Sequence, residues 1–180
     1  MLSDAHQAKL RHHHAVCDWD GDGVVTRHDF ESIADAFARL RGADPGTAVH
    51  QRLLDGFRSI WTTYWAPAAT ATAGQVTADE LVAAITGAVE AGVRQDDVLL
   101  PLLYEMIDAD ASGQLSPAEH EAFFAAFKID AADSAATFRA LDADGDGSVS
   151  KHEFLDAGAR FFFYDEADAP GNLFWGPLSA

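Results

Sequence analysis

One pattern occurs four times along this 180-residue chain and limits its fold more than any other feature. A short cluster of turn residues (18–23, 66–74, 108–113 and 142–147) leads to a single apolar residue: Val25, Val76, Leu115 and Val149. A hydroxyl residue and, three positions on, an acid follow: Thr26 and Asp29, Thr77 and Glu80, Ser116 and Glu119, Ser150 and Glu153. A hydroxyl N-cap with an acid at N3 is a capping box, and Pro117 stands at the favoured first helical position. Each acid therefore opens a helix. Apolar residues recur at helical spacing on both sides of the clusters: Leu100, Leu103, Tyr104 and Ile107 before the third, Phe123, Phe124 and Phe127 after it.

The repeat is thus helix–loop–helix, and each unit carries an apolar face that it cannot bury alone. The expected fold is all-α: four units in two pairs, forming a compact globule. The lone apolar residue after each glycine predicts two-residue strands that join paired loops, Val25 beside Val76 and Leu115 beside Val149. Residues 1–92 form the expected first pair, 93–163 the second, and 164–180 a tail. Leu173, Phe174, Trp175 and Leu178 make that tail apolar, so it is expected to fold back into the groove between the units, since burying them is favourable.

The loops have a chemistry of their own. A hard divalent ion such as Ca²⁺ takes six to eight oxygen ligands, and a twelve-residue loop can present them from positions 1, 3, 5, 7 and 12 around a glycine at position 6. The fourth loop meets the whole pattern. Asp142, Asp144 and Asp146 offer side-chain oxygens, Ser148 its backbone carbonyl, and Glu153 both carboxylate oxygens. The third offers Asp108, Asp110, Ser112, Gln114 (through its carbonyl) and Glu119; a hydroxyl replaces one acid. The first offers Asp18, Asp20, Asp22, Val24 (through its carbonyl) and Asp29, whose side chain is one methylene short of glutamate. A short acid at position 12 disfavours bidentate reach and favours the octahedral geometry that Mg²⁺ accepts. The second loop keeps Gly74, Val76, Thr77 and Glu80, but Ala69, Ala71 and Ala73 stand where ligands are needed. It is expected to be a structural partner only.

These residues resemble the EF-hand superfamily. The sequence of working first, degenerate second and working third and fourth hands resembles the sarcoplasmic calcium-binding proteins and the calerythrin-like family. That resemblance implies three Ca²⁺ sites, with Mg²⁺ as a candidate at the first, and a role in calcium buffering. The alternative is a calcium sensor that opens a groove for a protein partner. Sensors of that kind favour methionine-rich grooves, and this chain has two methionines.

Charge supports the cation reading. The chain holds 29 acidic residues against 12 Lys and Arg, a formal net charge of −17. Such a surface repels phosphate backbones and anionic lipid, so neither nucleic acid nor membrane is an expected partner. No signal-like or membrane-spanning apolar run is present, and the expectation is a cytoplasmic monomer. The single Cys17 reads as a small core residue. His13 and His14 fall where the repeat calls for apolar side chains and read as partly buried. No nucleophile–base arrangement or phosphate-cradling loop suggests an enzyme.

Overall fold

The computed structural model describes residues 2–94, 98–166 and 170–178. Helix α1 (Asp4–Cys17) leads through the first loop to strand β1 (Val25–Thr26) and helix α2 (Arg27–Leu40). Helix α3 (Ala48–Ile60) leads to β2 (Gln75–Val76) and α4 (Ala78–Glu90). The second half repeats the order: α5 (Leu99–Ile107), β3 (Gln114–Leu115), α6 (Pro117–Ala126), α7 (Ala131–Leu141), β4 (Val149–Ser150) and α8 (Lys151–Phe163).

All four expected capping boxes form, on Thr26, Thr77, Ser116 and Ser150. The strands pair antiparallel in the predicted register, Val25 with Val76 and Leu115 with Val149. All four of these residues are fully buried. The apolar residue after each glycine is therefore both the link between loops and a core residue.

The entry to the second loop departs from the simple helix that the pattern predicts. Helix α3 widens into a π-turn at Trp61–Trp65, then tightens into a 3-10 turn at Ala66–Ala68. Pro67 has no backbone N–H and cannot extend the α-helical ladder, so the chain leaves it here. Trp61 and Trp65 stay buried through the change.

A single apolar cluster runs through both pairs. Phe37 of α2 meets Phe123 of α6 edge-on, with centroids 5.5 Å apart. Phe57 of α3 reaches Phe127, just beyond α6, at 6.2 Å. The edge-to-face Phe37–Phe123 pair adds stability beyond the area it buries. After a 3-10 turn at Pro170–Leu173, Phe174 and Trp175 are each 3% exposed. Phe174 packs on Phe154 at 4.9 Å, and Trp175 stacks on His13 at 4.7 Å. Leu178 remains in solvent. Gly171 lets this segment approach α8: a Cβ there would lie 2.7 Å from the Ala157 carbonyl oxygen.

Three helix ends share one backbone design, in which the third residue past the helix donates to a carbonyl five residues earlier. The bonds are Ala43 N–H to Ala38, Val93 N–H to Ala88 and Ile129 N–H to Phe124. The residue just before each donor is in the left-handed region. Two of these are Gly42 and Gly92; the third is Lys128, at φ 61°.

Candidate metal centre

Each loop starts where a helix runs out. Asp18, Asp108 and Asp142 cap α1, α5 and α7, donating their backbone N–H to His14, Tyr104 and Phe138. Their carboxylates then fold the turn around themselves. Asp18 Oδ2 accepts from Gly23 N–H at 2.9 Å, Asp108 Oδ2 from Gly113 at 3.0 Å and Asp142 Oδ2 from Gly147 at 3.1 Å. The position-3 acids repeat the device two residues on: Asp20 accepts from Asp22, Asp110 from Ser112 and Asp144 from Asp146. These amide bonds fix the orientation of groups that would otherwise repel each other.

Three clusters result: Asp18, Asp20 and Asp22; Asp108, Asp110 and Glu119; Asp142, Asp144 and Glu153. In each, one oxygen per residue lies within 4.8 Å of the others. Oxygens bound to one Ca²⁺ at 2.3–2.6 Å lie at most about 5 Å apart, so the donor sets fit a hard divalent ion. Asp146 and Asp29 lie outside these groupings. Ser112, in place of a third acid, donates its hydroxyl to the Gln114 carbonyl at 2.9 Å, which draws positions 5 and 7 together. Val24 and Ser148 hold the matching positions in the first and fourth loops, each just ahead of its strand.

The position-12 acids show why the first loop gathers a different trio. In every loop this acid is a clasp. One oxygen accepts from the backbone at position 2 or 3, and the other from the N-cap residue. Glu153 bonds Ala143 N–H at 2.9 Å and Ser150 N–H at 2.8 Å. Glu119 bonds Ala109 N–H at 2.7 Å and Ser116 N–H at 2.9 Å. Asp29 makes the same clasp to Trp19 and Thr26, but it is 2% exposed and, lacking a methylene, is drawn back from the acid trio. Burial works to raise the Glu119 and Glu153 carboxyls; the clasp bonds outweigh it and hold both below the usual range.

The second loop keeps the clasp without the cluster. Glu80 accepts from Thr77 N–H, Ala71 N–H, Thr70 N–H and both threonine hydroxyls. Those bonds hold its carboxyl far below the ordinary value. The backbone differs too. At position 4, Gly21, Ala111 and Gly145 are all left-handed in the other loops. Thr72 is not, and its carbonyl instead accepts from Gln75 N–H.

Two polar groups on otherwise apolar helix faces bolt the paired loops together. Four residues before Asp108, the Tyr104 hydroxyl lies 2.9 Å from the Gly113 carbonyl and 3.2 Å from that of Val149. Four residues before Asp18, His14 Nε2–H donates to the Val76 carbonyl at 2.8 Å. Burial first, and then Asp108, Glu119 and Glu153, push the Tyr104 phenol up to about 12, so it remains a donor.

Comparison with known proteins agrees with this geometry. A family model described as EF hand matches residues 135–156, around the fourth loop. The sarcoplasmic calcium-binding protein of Hediste diversicolor is 31% identical over 98% of this chain and 99% of its own. Calerythrin of Saccharopolyspora erythraea is 30% identical over 81% of this chain and 85% of its own. Among solved structures, the coelenterazine-binding protein of Renilla muelleri, calcium-loaded, superposes with a TM-score of 0.75 at 25% identity, covering 98% of this chain and all of that one.

Proposed function

This chain belongs to the sarcoplasmic calcium-binding protein family of EF-hand proteins, and from that premise we propose that it is a cytoplasmic calcium buffer with three working loops. The observation that carries this reading is the contrast between three converging acid trios and one loop whose ligand positions are alanines. Asp18, Asp20 and Asp22 would hold an ion in the first loop. Asp108, Asp110, Ser112 and Glu119 would do so in the third, and Asp142, Asp144, Asp146 and Glu153 in the fourth. The carbonyls of Val24, Gln114 and Ser148 complete the sets. A bound ion supplies the positive charge that each trio lacks. With Asp29 drawn back, the first loop is the one suited to Mg²⁺ as well.

A buffer rather than a sensor is supported by the way the apolar surfaces are used. Phe174 and Trp175 of the chain's own tail occupy the cleft beside α8, where a partner helix would otherwise insert. Among the described residues the large exposed apolar side chains are scattered: Leu40, Val93, Val98, Tyr164 and Leu178. Occupation of the core by a small molecule, which the coelenterazine-binding relative brings to mind, is opposed by volume. The enclosed space between His13, Cys17, Phe57, Trp65 and Trp175 holds about 20 Å³, close to the room one water needs.

Calorimetric titration with calcium, with and without millimolar Mg²⁺, tests the proposal. Three ions per chain are expected, with one site attenuated by Mg²⁺, and fluorescence of an apolar dye that is flat or falls as calcium binds. A stoichiometry of zero overturns the calcium reading. A rise in dye fluorescence on loading overturns the buffer reading in favour of a sensor.

A further inference from the structure

The first and third loops belong to different pairs, yet a cation at the end of each loop's exiting helix reaches across: Lys128 to the first loop, and Arg41 to the last turn of the helix that leads into the third. Trp19 is the second residue of the first loop. Its backbone N–H is already clasped to Asp29. Its indole N–H donates to the Ala126 carbonyl at 3.2 Å. Its own carbonyl accepts from the Lys128 ammonium, which also lies 3.8 Å from the centroid of the Trp19 ring. Ala126 and Lys128 close helix α6, whose first turn carries Glu119, the clasp of the third loop.

The opposite strap starts at the end of α2, whose first turn carries Asp29. Arg41 caps that helix and donates from Nη1 to the Met106 carbonyl at 2.8 Å, two residues before Asp108. Its guanidinium lies 5.3 Å from the Phe37 ring centroid, and Phe37 packs on Phe123 of α6. So α2 links the first clasp to the entry of the third loop, while α6 links the third clasp to the entry of the first.

Lys128 gives this arrangement a second, independent sign. It occupies the left-handed position that α2 and α4 fill with Gly42 and Gly92. A lysine is a poor choice for that backbone, and glycine the ordinary one. Its side chain is what the position gains.

We propose that Lys128 and Arg41 are positioning residues that couple the first and third calcium loops, so that filling one changes the affinity of the other. This rests on the reading of the loops as calcium sites. A strap that ties a clasp to a neighbouring loop restricts both together, so ordering one loop lowers what the other must give up on binding.

The test uses the full-length chain and the amide signals of Gly23, Gly113 and Gly147, each bonded to its loop's first aspartate. Calcium titration by NMR then reads the three loops separately. Glu119→Gln weakens the third loop. In the parent chain it should shift the Gly23 midpoint about fivefold or more to higher calcium, the range of ordinary site–site coupling. With Lys128→Gly and Arg41→Gln present, the same change should move that midpoint by less than about 1.5-fold, as a double-mutant cycle requires of uncoupled sites. Lys128→Gly restores the usual residue at the helix end, so this variant keeps its cap. Calcium-free protein in chelator gives a second readout: hydrogen exchange of the Trp19 indole N–H should be slow in the parent chain and faster in Lys128→Gly. Equal Gly23 shifts in both backgrounds, no shift in the parent, or unchanged indole exchange would overturn the coupling. Glycine amides that ignore calcium altogether would instead overturn the loop reading, and the coupling with it.

Discussion

Asp29 shows how much one methylene decides. Its carboxylate completes the clasp to Trp19 and Thr26, and that reach consumes the side chain. Lengthening it by Asp29→Glu should let the group clasp and still meet Asp18, Asp20 and Asp22. Calcium affinity at the first loop should then rise on the order of tenfold and Mg²⁺ competition should fall, both measurable by competitive calorimetry. His13 gives a second prediction at this scale. It is sealed among Trp65, Phe161, Phe162 and Trp175, and burial, followed by His12 and His14, lowers its pKa from 6.5 to about 3. The unfolded chain takes up that proton near 6.5, while the folded chain resists it down to about 3. The stability from a neutral His13 is therefore intact above pH 6.5 and drains away as the pH falls through that window. At pH 5 the loss approaches about 2 kcal/mol, and His13→Leu should flatten the fall in Tm between pH 7 and 5. The position-12 acids are legible in the sequence because a capping box and a ligand share one spacing. The bolts made by His14 and Tyr104 are not legible. A hydroxyl or imidazole on an apolar face looks the same in sequence whether or not a carbonyl awaits it.

At the scale of elements, the helix starts and strand registers follow directly from the repeat, since caps, glycines and single apolar residues are local signals. What escapes is set by contacts distant in sequence. The π-turn at Trp61–Trp65 is one case: Pro67 marks where the ladder stops, but the burial of two tryptophans decides how the chain gets there. The seating of the tail is another. No local signal in the sequence marks Gly171 as a point of close approach, which it is in the structure. Gly171→Ala would bring a Cβ against the backbone oxygen of Ala157, which cannot swing aside as a side chain could. Overpacking of this kind costs about 1–3 kcal/mol. At roughly 2–4 °C per kcal/mol for a chain of this size, a calorimetric scan should detect it. Apolar dye binding should rise with it, as Phe174 and Trp175 leave the cleft.

The whole molecule sets converging acids against a shared aromatic core. A formal charge of −17 favours expansion, and each bound calcium ion offsets two of those charges at a point of high density. Ligand linkage gives the size of the effect: a site held at 100 times its dissociation constant adds about 2.7 kcal/mol, set against a typical total of about 5–15 kcal/mol. Tm in millimolar calcium should therefore lie well above Tm in excess chelator. The rise should shrink by about a third in Glu153→Gln, which empties the fourth loop, if the three sites contribute equally.

Thr72 carries a last implication. The second loop differs from its siblings in the path of its backbone as well as in its missing acids, and Glu80 has found enough amides and hydroxyls to need no ion. Three aspartates at 69, 71 and 73 would not by themselves recreate a fourth site. The turn at 72 would also have to flip, against the bonds that Thr72 and Glu80 make in this loop. Reversal thus takes several simultaneous changes, and until all are made each adds only repulsion. The loss of such a site is a ratchet: easy to enter by single steps and hard to leave by them.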